Sequence, residues 1–264
     1  MDRYEGRRVL VTGGGSGIGQ ATVLRLLSEG GRVVAADISA NGLADTAAKA
    51  TAAQLAEQLT TVGVDTSDEG RVRGAVAEAV EHLGGLDTLV NAAGILRSSH
   101  THETSLTDFT RVLQVNLIGT FLVIREALPA LVRGTRSAVV NLSSTSAMFA
   151  HPYMAAYSAS KGGIQSMTHA LASEYSKQGI RFVAVAPGSI SSGMTDASGE
   201  SKQSAGPGFP EDADVELLAK LTPAIGGAGF ASPEEVASVV ALLGSEDGTF
   251  ITGTEIRVDG GTHF

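Results

Sequence analysis

A tyrosine and a lysine stand four residues apart in the stretch AAYSASKGG, residues 155–163. On a helix, Tyr157 and Lys161 would share one face. A free phenol has a pKa of about 10 and is a poor base at neutral pH, but an ammonium beside it favours the phenolate. Such a group can exchange a proton with the oxygen of an alcohol or a ketone. The small neighbours Ala155, Ala156, Ser158, Ala159 and Ser160 would let a ligand lie close to the helix. Alone, the pair reads more simply as one packed helical turn, because Tyr and Lys at this interval often arise by chance.

A second stretch, VTGGGSGIGQ at residues 11–20, offers different chemistry. It joins an apolar run to an amphipathic one, as a turn from strand to helix does. Backbone N–H groups at a helix N-terminus, helped by the helix dipole, favour an anion there. Gly13, Gly17 and Gly19 would let a pyrophosphate approach bare backbone. The spacing is G-x-x-x-G-x-G and not the common G-x-G-x-x-G. Asp37 ends the next apolar run, about 20 residues on, where a carboxylate can accept hydrogen bonds from an adenosine ribose. It would repel a 2′-phosphate, Ile38 follows it, and the turn holds no Arg or Lys. These features favour NAD over NADP, with a solvated strand-end aspartate as the plain alternative.

The elements that must position these residues alternate along the chain. RRVLVT, GRVVAADI, LTTVGVD, LDTLVNAAG, SAVVNLSS and GIRFVAVAPG read as strands, and amphipathic or alanine-rich helical stretches separate them. One long helical stretch spans about Leu106 to Arg133, and a last helix at PEEVASVVALLGS leads to the short apolar segment TEIRVDG. Alternation of this kind predicts an α/β fold: a doubly wound parallel sheet with helices on both faces, in a single domain over residues 1–264. Residues 193–232, rich in Gly, Ser, Pro and Asp, interrupt the pattern and are expected to form a substrate lid.

Composition narrows the partners. With 264 residues, 43% hydrophobic and 18% charged, the chain has the composition of an ordinary soluble domain. A net charge of −9 argues against nucleic acid or an anionic membrane surface. The absence of cysteine excludes disulfides, thiolate metal sites and a cysteine nucleophile, and fits a reducing compartment. The first fifteen residues hold no long apolar run, so no signal peptide is expected, and no stretch approaches the roughly 18 apolar residues of a membrane span. A cytoplasmic location follows as an expectation. His100-Thr-His102-Glu103 has ligand-type residues, but its place in the loop after strand four argues against a metal, and none is expected.

Together these motifs resemble the short-chain dehydrogenase/reductases in their single-domain form, over nearly the whole chain. Thr12-Gly-Gly-Gly-Ser-Gly-Ile-Gly19 resembles the T-G-x-x-x-G-I-G turn, Asn91-Ala-Ala-Gly94 the N-A-A-G motif, Tyr157-Ser-Ala-Ser-Lys161 the Y-x-x-x-K motif, and Pro187-Gly188 the P-G turn after strand six. Asn116 lies where that family has a helix-bending catalytic asparagine, and Ser144 lies thirteen residues before Tyr157, the family's interval.

The resemblance implies a Rossmann-type fold and an NAD-linked oxidoreductase. Tyr157 would be the general acid/base, Lys161 would lower its pKa and hold the nicotinamide ribose, Ser144 would hold the substrate oxygen, and Asn116 would hold a relay water. Gly13, Ser16, Gly17, Ile18, Gly19, Asp37, Ile38, Asp65, Thr66, Asn91, Ala92, Gly94, Pro187, Gly188, Ile190 and Ser192 would contact the cofactor beside Tyr157 and Lys161. Ser146, His151, Gly188 and Met194 would join Ser144 and Tyr157 around the substrate.

Two positions depart from the pattern: Ser192 stands where threonine is usual, and Ala147 replaces a frequent glycine. Ser143 adjoins Ser144, and strand alternation would send it to the other face. Arg7 and Arg8 read as a solvated strand start. The apolar helices suggest a homotetramer or dimer, as is the family habit.

The acidic lid, with Asp196, Glu200, Glu211, Asp212, Asp214 and Glu216 against Lys202 and Lys220, would receive phosphates, coenzyme A or an acidic carrier protein poorly. Phe149, Tyr153, Phe209 and Phe230 are expected as apolar walls, with a neutral secondary alcohol or ketone as substrate. The alternatives are an NADPH-dependent 3-oxoacyl thioester reductase and a catalytically silent nucleotide-sensing regulator.

Overall fold

The computed structural model describes residues 2–196, 206–225 and 229–263. Seven strands form one parallel sheet: β1 (Arg8–Thr12), β2 (Arg32–Asp37), β3 (Leu59–Gly63), β4 (Thr88–Asn91), β5 (Ala138–Leu142), β6 (Arg181–Pro187) and β7 (Thr254–Val258). Their order is β3-β2-β1-β4-β5-β6-β7. Strands β1, β4, β5 and β6 are buried along nearly their whole length because helices cover both faces. Alternation sends Leu10, Val34, Leu89, Val139 and Phe182 to one face, under α3 (Glu69–Leu83), α5 (Gly119–Val132) and α6 (Ala155–Glu174). It sends Val9, Val11, Val33, Val90, Val140 and Val183 to the other, under α1 (Gly17–Ser28), α2 (Ala40–Ala52) and α9 (Pro233–Gly244).

The helices begin at side-chain caps. Ser39, Asp68 and Ser105 accept the N–H of Gly42, Arg71 and Asp108 to start α2, α3 and α4 (Leu106–Leu113). A single π-helical turn, Gln114–Ile118, joins α4 to α5, and Asn116 sits inside it. Such a turn packs one extra residue into the helix and redirects the side chains around it.

The chain runs from β1 outward to β3, then returns across β1 to start β4 beside it, so the sheet reverses direction between β1 and β4. A crevice opens above the carboxyl ends of strands at such a point. Gly13 lies there in a left-handed conformation (φ 72°), and a Cβ on it would stand 2.6 Å from the Ala93 nitrogen. A Cβ on Gly19 would overlap the Gly13 carbonyl oxygen. These two glycines let the turn after β1, the start of α1 and the end of β4 touch backbone to backbone.

The segment expected as a lid leaves the sheet after β6 and returns just before α9. Its ends meet in a bridge between Ile190 and Ala231. It contains α7 (Gly193–Asp196) and α8 (Val215–Ala219). Residues 197–205 and 226–228, with the expected lid charges Glu200 and Lys202, lie outside the described residues.

Three sequence expectations need correction. TEIRVDG, read only as a short apolar segment, contains β7, which pairs parallel with β6. Arg7 is not solvated: it is buried, and its guanidinium donates to Thr88 Oγ1 (3.1 Å) and the Arg136 carbonyl (3.2 Å). Arg8 forms an ion pair with Asp87 at 2.7 Å. Finally, the π turn makes Leu106–Val132 one helix, long and apolar enough by length and composition to cross a membrane. Just over half of its apolar window is buried, on the core beside α3 and α6.

Gly13→Ala is expected to destabilise the cofactor-free protein by about 2–4 kcal/mol, through the left-handed backbone and the overlap with β4. Urea unfolding checks this, and a loss below about 1 kcal/mol would contradict the close approach.

Candidate active site

Two cavities meet above the carboxyl ends of the strands. The larger, about 650 Å³, lies over β1–β4 and is lined by Gly13, Ser16, Gly17, Ile18, Gly19, Asp37, Ile38, Asp65, Thr66, Ala92 and Gly94. Ser192 and Met194 close it from the other side, the Ser192 Cβ only 3.1 Å from where a Cβ on Gly17 would be. Ser16 stands at the N-cap of α1 without a side-chain capping bond, and the first turn of α1 carries no acidic residue. The turn is therefore a cradle of bare backbone at a helix N-terminus, shaped for a phosphate group.

Asp37 closes one end of this cavity. Its carboxylate accepts the Gly15 N–H (3.0 Å) and the Ser39 N–H (2.8 Å). Asp65 accepts both the backbone N–H (2.9 Å) and the hydroxyl (2.6 Å) of Ser67. Burial pushes the Asp65 carboxyl up, but the Ser67 bonds and the charges of Arg111 and Arg71 outweigh it and hold the group below its ordinary value. Arg111 lines the same cavity and donates to Ser67 Oγ at 3.0 Å. It lies far along the chain, on α4, and no local pattern marks it.

The smaller cavity, about 270 Å³, is lined by Ser144, Tyr157, His151 and Gly188, with Leu96, Met154, Phe209, Leu218 and Phe230 among its apolar walls. Ser144 leaves β5 into a 3-10 turn, where its Oγ accepts the Ser146 N–H at 3.1 Å. Ser144 and Tyr157 face the same cavity, and Ser144 is close enough to the phenol to favour its ionised form. Ser143 points the other way and donates to the Lys161 carbonyl at 3.1 Å.

Lys161 lies behind Tyr157, its Nζ 5.6 Å from the phenol ring centre and donating to the Leu142 carbonyl at 2.7 Å. Asn116 is fully buried. Its Nδ2 donates to the Ile95 carbonyl and to Ser160 Oγ, both at 3.0 Å, and its Oδ1 accepts the Ile95 N–H at 2.8 Å. This ties the loop after β4 to α6. The bare Cα of Gly94 makes room there: a Cβ would stand 3.2 Å from Asn116 Oδ1 and 3.7 Å from Lys161 Nζ.

The electrostatics differ from the sequence expectation. Burial pushes the Tyr157 phenol up to about 12, against a smaller downward effect of Ser144. Burial pushes the Lys161 ammonium down to about 8. Desolvation therefore outweighs the Ser144 contribution at Tyr157 and disfavours the charged form of Lys161 as well.

Several expected site residues stand elsewhere. Asn91 does not line the cavity: it is buried, and its Nδ2 donates to Asn141 Oδ1, whose own amide donates to Thr168 Oγ1, both at 2.9 Å. It links β4 to β5, a use the motif alone does not reveal. Pro187 ends β6 outside both cavities, and the Ile190 side chain packs into the core. Ser146 is buried outside the smaller cavity, and Met194 lines the larger one. Phe149 stacks on His263 at 4.2 Å instead of forming a wall.

Tyr153 instead holds the segment before α8, its hydroxyl accepting the Asp214 N–H at 2.9 Å. Near it, the Ser98 N–H donates to the Pro207 carbonyl at 2.8 Å, and His100 Nε2 pairs with Asp212 at 2.9 Å. His100 thus joins the loop after β4 to the segment before α8; among the described residues no group of three metal-ligating side chains comes together.

An open parallel sheet, a phosphate-shaped glycine cradle at its switch point and an adjoining apolar cavity define a nucleotide-binding oxidoreductase of the doubly wound class. Residues 7–203 match the family model described as short chain dehydrogenase. The chain is 35% identical to a 3-oxoacyl-(acyl-carrier-protein) reductase of Thermotoga maritima over 98% of both chains. It is also 35% identical to levodione reductase of Leifsonia aquatica, over 98% of this chain and 95% of that one. A crystal structure of a short chain dehydrogenase from Burkholderia cenocepacia J2315 in complex with NADP superposes with a TM-score of 0.84 at 30% identity, covering 98% of this chain and 99% of that one. The protein belongs to the short-chain dehydrogenase/reductase family and is an NAD(P)-dependent enzyme.

The low Lys161 value carries a stability signature. Between about pH 8 and the ordinary lysine value of 10.5, the unfolded chain holds a proton that the folded chain has lost, so stability rises with pH. At neutral pH the buried ammonium costs up to roughly 3 kcal/mol. Lys161→Met is expected to raise stability at pH 7 and to flatten the rise between pH 8 and 10, read by urea unfolding at each pH. An unchanged pH slope would contradict the burial of the ammonium.

Proposed function

We propose that the protein is an NAD(H)-dependent oxidoreductase that interconverts a neutral, moderately apolar secondary alcohol and its ketone, with Tyr157 as the general acid/base. The observation that carries this reading is that Ser144 and Tyr157 line the same largely apolar cavity beside the nucleotide cradle, with Lys161 behind the phenol.

Bound nicotinamide would supply or accept the hydride. The chain's own residues do the rest. Ser144 holds the substrate oxygen and stabilises the charge that develops on it. Tyr157 gives its phenolic proton to that oxygen in reduction and takes one back in oxidation. Lys161 lies behind the phenol, where its ammonium stabilises a phenolate and its Nζ can reach a ribose hydroxyl. Asn116 fixes the loop after β4 to the tyrosine helix and, through Gly94, keeps the space beside Lys161 open for a proton-relaying water. The cradle at Gly13–Gly19 would take the pyrophosphate, and Asp65 and Thr66 would flank the adenine.

Asp37 supports NAD over NADP. Its two backbone bonds leave acceptor capacity for ribose hydroxyls. Asp45 lies at the same end of the cavity, and the nearby Lys49 is paired to it at 2.8 Å. A 2′-phosphate would meet two carboxylates and no free cation among the described lining residues at that end. The lid disfavours acyl-carrier substrates, since Glu211, Asp212, Asp214 and Glu216 outnumber Lys220 there. Thioester reduction with NADPH is the runner-up, and the Thermotoga relative's name keeps it in view.

Tyr157→Phe is expected to lower kcat by a factor on the order of 100 to 10,000 while NADH still binds, followed by cofactor fluorescence. Near-normal turnover in that variant would contradict the role given to the phenol.

A further inference from the structure

A half-buried imidazole faces the smaller cavity and has no part in the chemistry above. His151 lines that cavity with Ser144 and Tyr157. Its Nδ1 lies 3.2 Å from the Phe149 carbonyl oxygen, which can only accept, so Nδ1 carries the proton. Burial pushes the ring below its ordinary pKa; the Phe149 carbonyl works against this, and His263, its ring 5.6 Å away, works with it. In the neutral ring, Nε2 is an acceptor with one lone pair.

That lone pair is only loosely used. Its partner is the Thr145 hydroxyl at 3.3 Å, long for such a bond. The same hydroxyl lies 3.4 Å from the Pro187 carbonyl. Thr145 has one proton and two acceptors, so it can turn to Pro187 and release His151 at little cost. Thr145 directly follows Ser144, which sets the imidazole next to the hydroxyl that would hold the reacting oxygen. Much of the remaining wall, including Leu96, Met154, Phe209, Leu218 and Leu221, is apolar. A ligand that covers a buried acceptor without donating to it is penalised, whereas one that donates is favoured.

We propose that His151 selects substrates that carry a second hydroxyl beside the reacting carbon, a vicinal diol or its α-hydroxy ketone, with that hydroxyl donating a hydrogen bond to Nε2. The inference rests on the alcohol–ketone reading of the site and narrows its substrate class.

The test is the ratio of kcat/KM for an α-hydroxy ketone to that for the parent ketone, using α-hydroxycyclohexanone with cyclohexanone and acetoin with butanone. It is measured with NADH on wild type, His151→Phe and His151→Gln. The expected result is a wild-type preference for the hydroxy ketones that falls by about tenfold in H151F and survives in H151Q, which keeps an acceptor. Turnover of the parent ketones with no wild-type preference would overturn this inference and leave the alcohol–ketone reading standing. A preference that persists unchanged in H151F would also overturn it. No turnover of any of the four ketones with either NADH or NADPH would count against both.

Discussion

The site depends on one steric constraint, the backbone contact between the turn after β1 and the end of β4. Gly13 meets Ala92 and Ala93 at a distance no side chain permits, and Gly19 meets Gly13 in the same way. This contact brings the N-terminus of α1 over the point where the sheet reverses. It opens the crevice above the strand ends and sets Gly94 against Asn116 and Lys161. The glycine cradle and the cluster of Asn116 and Lys161 are thus parts of one packing arrangement.

A second constraint is electrostatic. The fold sets a half-buried phenol beside a buried ammonium, and desolvation disfavours the charged form of each. The surrounding polar atoms hold positions more than charges. Ser143 binds the Lys161 carbonyl, Leu142 accepts from its ammonium, and Asn116 pins Ser160 one residue before it. Asn116 sits buried inside the π turn at Gln114–Ile118, from which its amide reaches Ser160 on the tyrosine helix.

What the sequence made legible follows from how local each signal is. The glycine turn and the Tyr157–Lys161 spacing each lie within one turn or one helix, so residue type and spacing mark them directly, and Ser144 was marked by the interval of the family that the chain resembles. Strand β7 escaped because it is an edge strand with intermediate burial and only alternate apolar residues. Arg7 was misread because its partners, Thr88 and the Arg136 carbonyl, come from distant parts of the chain. Asn91 is a motif residue that links β4 to β5. Arg111 reaches the cavity only because α4 crosses near Asp65, and Phe149 left the substrate wall because the C-terminal His263 stacks on it. In each case the missing information was a tertiary contact.

The central claim is that a nicotinamide dinucleotide lies across the β1–β4 crevice with its adenosine ribose on Asp37. Parallel fluorescence titrations of the purified protein with NADH and NADPH test it most directly. The account predicts saturable binding of NADH at least tenfold tighter than NADPH, from one pair of ribose hydrogen bonds gained and one phosphate repelled. Equal binding, or tighter binding of NADPH, would contradict it and would turn the Asp37 carboxylate away from the ribose.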